Sequence, residues 1–64
     1  MKIIGVDNFA RDNVSDILIA ENVQNKEFAE VMQRALNDKY CNHENASTYY
    51  VIREDDYKLF KWEP

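Results

Sequence analysis

Apolar residues recur along this chain with two different periods. Between residues 25 and 40, Phe28, Val31, Met32, Ala35, Leu36 and Tyr40 fall at i, i+3, i+4, i+7, i+8 and i+12, the repeat of one helical face. Glu27, Glu30, Gln33, Arg34, Asn37 and Asp38 fall mostly on the other side. Glu30 and Arg34 are four apart with the acid first, the favourable order for a helical ion pair. Asn25 can cap the first turn by accepting one of its free N–H groups. The spacing predicts a helix over 25–40, followed by a polar loop, CNHENAS.

Elsewhere the pattern suits strands. IIGVDNFA (3–10) and DILIAENV (16–23) are rich in β-branched residues and flank the polar run RDNVS. They read as a hairpin, with Asp12 and Asn13 supplying the turn. Ala10, Val14, Ile17, Leu18 and Glu21 also have helical spacing, so a helix over 9–22 is the alternative. The run ILI and the pair Asp12-Asn13 favour strands. TYYVIR (48–53) reads as a further strand, with Tyr49, Val51 and Arg53 on one face and Tyr50, Ile52 and Glu54 on the other. Asp55 and Asp56 then form a turn, and YKLFKW (57–62) runs back as a short fourth strand or an extended tail.

The order is therefore β-β-α-β, with a possible final β. It predicts an α+β domain: a small antiparallel sheet of three to four strands with one helix packed on one face. Gly5, the only glycine, sits inside the first strand and marks a bulge or a close backbone approach. A helix is about 10 Å wide, whereas four strands spaced about 4.8 Å apart span more. Some apolar sheet surface is expected to stay uncovered, as at an interface.

The 64 residues make one domain, 1–64, too short to bury a large core. The single cysteine, Cys41, forms no internal disulfide, and MKIIGVDNF is neither a signal peptide nor a membrane span. These features point to a cytoplasmic protein with no membrane association. A net charge of −4 argues against general nucleic-acid binding, which needs surplus Lys and Arg.

The pattern NFARD…DILIAEN…FAEVMQRALND…YYVIREDDYKL resembles small uncharacterised bacterial and phage proteins. These pair an N-terminal hairpin with one helix and close on an Asp-Asp-Tyr segment. The resemblance spans residues 6–60 and implies the fold. It carries over no catalytic residue.

Each stretch that suggests chemistry has a plainer reading. Glu54, Asp55 and Asp56 lack the spacing of a calcium loop, and adjacent residues on a strand face opposite ways, so a solvated turn is the simpler account. Cys41 and His43 are two possible zinc ligands where a structural site needs four. Neither a nucleophilic pair at that spacing nor a phosphate loop is supported. The sequon at 45–47 has no role without secretion. No cofactor, metal or catalytic residue is assigned.

The aromatics carry the functional expectation. Tyr49, Tyr50, Tyr57, Phe60 and Trp62 crowd the last quarter with Arg53, Lys58 and Lys61. Such a mixture can stack bases, but Glu54, Asp55, Asp56 and Glu63 leave the segment not net basic. Tyr49, Tyr50, Tyr57, Phe60, Trp62, Asp55 and Asp56 are therefore candidate partner-binding residues of a small interaction or regulatory module. The partner is another protein or a second copy. The alternatives are a nucleic-acid module and an acidic inhibitor that imitates nucleic acid.

Overall fold

A computed structural model describes residues 1–42 and 45–63. The elements are β1 (Lys2–Asp7), β2 (Ile17–Ala20), α1 (Lys26–Tyr40) and β3 (Thr48–Arg53). The sheet has the order β2-β1-β3 and both pairings are antiparallel. The chain thus adopts the expected α+β class and the order β-β-α-β.

β1 and β2 pair as a hairpin, and no helix forms over 9–22. The strands are shorter than the apolar runs, so the connection is longer than a tight turn. Asp12 and Asn13 do form a turn inside it. Asp7 organises its start by accepting the Arg11 backbone N–H at 2.6 Å and its guanidinium at 2.7 to 3.2 Å. Ala10 between them has φ 54°, a left-handed conformation that disfavours a side chain. Asn8 ties the same loop to the one before β3. Its backbone N–H donates to the Ser47 carbonyl and its amide to the Ala46 carbonyl.

Gly5 serves a close approach. A Cβ there would lie 3.1 Å from Thr48 Cγ2, 3.5 Å from Tyr50 Cε1 and 3.7 Å from Ile17 Cβ. Tyr50 is its cross-strand partner, so the tyrosine ring occupies the space the glycine leaves. The bulge lies between Ile3 and Ile4, opposite Ala20 and Leu18, which leaves Ile19 unpaired.

Alternation along β1 and β3 puts Ile3, Gly5, Tyr50 and Ile52 on one face and Lys2, Ile4, Val51 and Arg53 on the other. Ile3 and Ile4 are both fully buried, so the centre of the sheet is covered on both sides. α1 lies on the first face, where Tyr40 comes within 6.4 Å of the Tyr50 ring, centroid to centroid. It contacts β3 and β1 but not β2. Asn25 caps it as the sequence predicts, accepting the N–H groups of Glu27 and Phe28.

The second face is crossed by residues 57–63. This segment is an extended tail rather than a fourth strand. Asp55 and Asp56 form the expected turn, closed by the Tyr57 N–H on the Glu54 carbonyl. The tail then makes one backbone bond to the sheet side, from the Asp16 N–H to the Phe60 carbonyl. The Phe60 N–H goes to the Asp16 carboxylate instead of a carbonyl, which prevents a strand ladder from continuing.

The resulting body is thin, 35 × 29 × 12 Å. Its radius of gyration is 11.9 Å, against about 10.7 Å for a compact chain of this length.

Candidate interaction surface

The tail brings three of the expected aromatics together at one corner, where Asp16 holds Tyr57 and Phe60 and Ser15 holds Trp62. One carboxylate oxygen of Asp16 accepts the Tyr57 hydroxyl at 2.6 Å and the Phe60 N–H at 2.8 Å. Ser15 Oγ accepts the Trp62 N–H at 2.9 Å. On the other side of Tyr57, the Lys2 ammonium donates to its carbonyl and the Arg53 guanidinium stacks 5.5 Å from its ring. The hydrogen bond to Asp16, helped by burial, raises the Tyr57 hydroxyl pKa above its usual value. Phe60 and Trp62 stay 48% and 43% exposed. Tyr57 is half-buried and held between partners, so it is part of the strap rather than a free contact.

The other candidates divide differently. Tyr50 covers Gly5 and meets Tyr40, so it belongs to the fold. Tyr49 is exposed on the opposite face. Asp55 is paired with the N-terminal ammonium at 2.6 Å. Asp56 is exposed beside it. The sequence reads Asp55 and Asp56 as a solvated turn and groups them with the aromatics as candidate partner-binding residues. In the fold the two acids sit at the turn, and of the candidates Tyr57, Phe60 and Trp62 meet the Ser15–Asp16 corner.

Among the described residues, no group of three or more His, Cys, Asp or Glu side chains comes together to hold a metal. Cys41 is half-buried, and its N–H closes the last turn of α1 on the Asn37 carbonyl. Its expected companion, His43, lies outside the described residues. No pocket opens among the described residues. No helix among them is long and apolar enough to cross a membrane.

A second surface was not expected. The apolar stripe of α1 does not face the sheet squarely. The residues turned inward are Ala29, Met32, Gln33, Leu36 and Asn37. Phe28 and Val31 are 65% and 59% exposed, and Ala35 is exposed with them. At about 100° per residue, the helix is rotated by roughly a quarter turn from the orientation its apolar periodicity predicts. The cause is the edge of β3. Asn37 and Gln33 are turned there, where their amides bond to the backbone of Tyr50. An edge strand presents unpaired backbone groups, and these two amides satisfy those of Tyr50. The clue in the sequence was the pair Gln33 and Asn37, one helical turn apart beside the small residue Ala29.

β2 is the other edge, and α1 does not reach it. Ile17, Leu18 and Ile19 are all exposed. The Tyr50 N–H points away from β1, so by the antiparallel alternation the backbone N–H and carbonyl of Leu18 point away from it too. Among the described residues these two groups have no partner.

Comparison of the chain with protein-family models, with curated proteins and with solved structures finds no match in any of the three.

Proposed function

We propose that this chain is a protein-interaction module that works through apolar surface its own fold leaves uncovered. One observation carries the reading. Among the described residues, the buried apolar ones are Ile3, Ile4, Ala29 and Ala46, while ten large hydrophobic side chains are substantially exposed. The accessible surface is 4854 Å², about 550 Å² more than a compact monomer of this mass exposes. A stable protein interface covers about 800 Å² on each partner. A partner seated on this surface would therefore supply burial that the isolated domain lacks. A flat body with no pocket among the described residues also suits a docking surface better than an enclosed small-molecule site. A regulatory role in the cytoplasm of a bacterium or phage-infected cell belongs to the same proposal.

The test is association of the folded full chain. The wild type is compared with a variant carrying Val31→Glu, Leu18→Lys and Trp62→Ser, checked for native circular dichroism. Binding to itself or to a second protein that the variant loses supports the module. A wild type that stays monomeric and retains no protein from a cell extract beyond what the variant retains argues against it.

A further inference from the structure

We infer that the partner for the exposed stripe of α1 is a second copy of this chain, docked helix against helix about a two-fold axis near Val31. This rests on the interaction-module reading and names its partner.

Three observations converge on the stripe. First, Phe28 and Val31 are among the most exposed large hydrophobics of the chain, and the smaller Ala35 extends their line by another turn. Spacings of three and four residues form the narrow seam by which one helix packs on another. Ala35 allows close approach.

Second, the electrostatics permit two copies to meet there. The whole chain carries a net charge of −4, so most faces of two copies repel. α1 carries no net charge. Its three basic residues, Lys26, Arg34 and Lys39, balance its three acids, Glu27, Glu30 and Asp38. Glu27 and Arg34 lie on the same flank of the stripe, two turns apart. Antiparallel docking about Val31 sets Glu27 against Arg34 of the second copy, and the two-fold repeats that pair in the other direction. The surface is self-complementary, which an arbitrary partner would not require.

Third, the helix covers only the β3 side of its sheet face. It approaches β1 and β3 but not β2. That leaves Ile17, on the same face beside Gly5, 52% exposed. The excess surface of about 550 Å² is of the order such a dimer needs from each copy. The open edge of β2 is a weaker place for self-pairing. Within β2, among the described residues, Leu18 alone turns free backbone groups outward, and the tail occupies Asp16 beside it.

Light scattering on the full chain at two concentrations tenfold apart tests this. The expected result at the higher concentration is twice the monomer mass of 7.6 kDa. Val31→Glu should weaken dimerisation at least about tenfold, and Leu18→Lys should leave it unchanged. Arg34→Glu alone should weaken it, because it faces Glu27 of the other copy. Glu27→Arg combined with Arg34→Glu should restore it. Both charge variants change exposed residues, so failure to fold does not confuse the comparison. A monomer at both concentrations overturns the dimer but leaves the module to be tested by its heterologous partner. A dimer that survives Val31→Glu, or that Leu18→Lys dissociates, also overturns it. So does a charge swap that fails to restore what Arg34→Glu removed.

Discussion

The side-chain amide of Asn37 and the backbone of Tyr50 bond to each other in both directions. Asn37 Oδ1 accepts the Tyr50 N–H at 2.9 Å, and Asn37 Nδ2 donates to the Tyr50 carbonyl at 3.0 Å. Gln33 adds a second donor to that carbonyl at 3.1 Å. The amide thus does for β3 what a neighbouring strand would do. It blocks this edge against pairing and fixes the rotation of α1. Through that rotation it leaves Phe28 and Val31 on the outside. Asn37→Ala is expected to destabilise the fold by about 1–3 kcal/mol, because it breaks two part-buried bonds at once. Urea unfolding measures this. Asn37→Asp should not rescue it, since a carboxylate beside the Tyr50 carbonyl cannot donate.

Gly5→Ala tests the close approach on the central strand. Alanine is ordinarily the better strand residue in conformational entropy. Here its Cβ would press on Thr48 Cγ2, 3.1 Å away. The net effect expected is a loss of about 1 kcal/mol, read from the unfolding midpoint at unchanged denaturant slope. Pairing Gly5→Ala with Thr48→Ser removes the tightest contact and should recover part of that loss.

The loop after β1 gives the fold an acid limb. Hydrogen bonds from the Arg11 guanidinium are the largest cause holding the Asp7 carboxyl down, from 3.8 to about 2. A carboxyl lowered on folding stabilises the native state fully above its unfolded value. That stabilisation is lost as pH falls through the folded value. Stability should therefore decline between about pH 4 and pH 2. Arg11→Gln should flatten that part of the curve. A curve unchanged by Arg11→Gln would mean that the ion pair does not form in solution.

An alkaline limb comes from the strap. Tyr57 has its hydroxyl pKa raised, first by the hydrogen bond to Asp16 and then by burial. A raised folded value means the stabilisation is complete below the unfolded pKa of about 10. It is lost as pH climbs through the folded value. Tyr57→Phe should remove this dependence and cost about 1 kcal/mol at neutral pH. It should also loosen the tail, seen as faster exchange of the Phe60 and Trp62 amides. Tyrosinate absorbance in Tyr57→Phe, compared with wild type, shows which tyrosine titrates late.

Much of the fold could be read from the chain because local signals agreed with one another. Asn25 caps the helix it was expected to cap, Asp12 and Asn13 turn where turn residues should, and TYYVIR is β3 to the residue. What periodicity could not give was the rotation of α1. Apolar spacing assumes that a helix docks by its most hydrophobic face. Here two amides docking on the backbone of a strand edge compete with that face and win. The tail misled for a related reason. YKLFKW has strand-like composition, but the Asp16 carboxylate takes the Phe60 N–H that a ladder would use. A carboxylate forty-four residues earlier leaves no local trace in the sequence. Of the candidate aromatics, Tyr50 packs over Gly5 and Tyr57 serves the strap, while Tyr49, Phe60 and Trp62 stay exposed.

Amide hydrogen exchange at Tyr50 and Leu18 tests the central claim most directly. Both N–H groups point outward from edge strands, and only the first has a partner among the described residues. Tyr50 should exchange slowly, as if it lay inside a sheet, while Leu18 exchanges fast in the monomer. Asn37→Ala should release Tyr50, and Val31→Ala should not. Equal, rapid exchange at both positions in the wild type would contradict the account. It would mean that α1 is not held to the β3 edge by its amides and that its apolar stripe is free to turn inward.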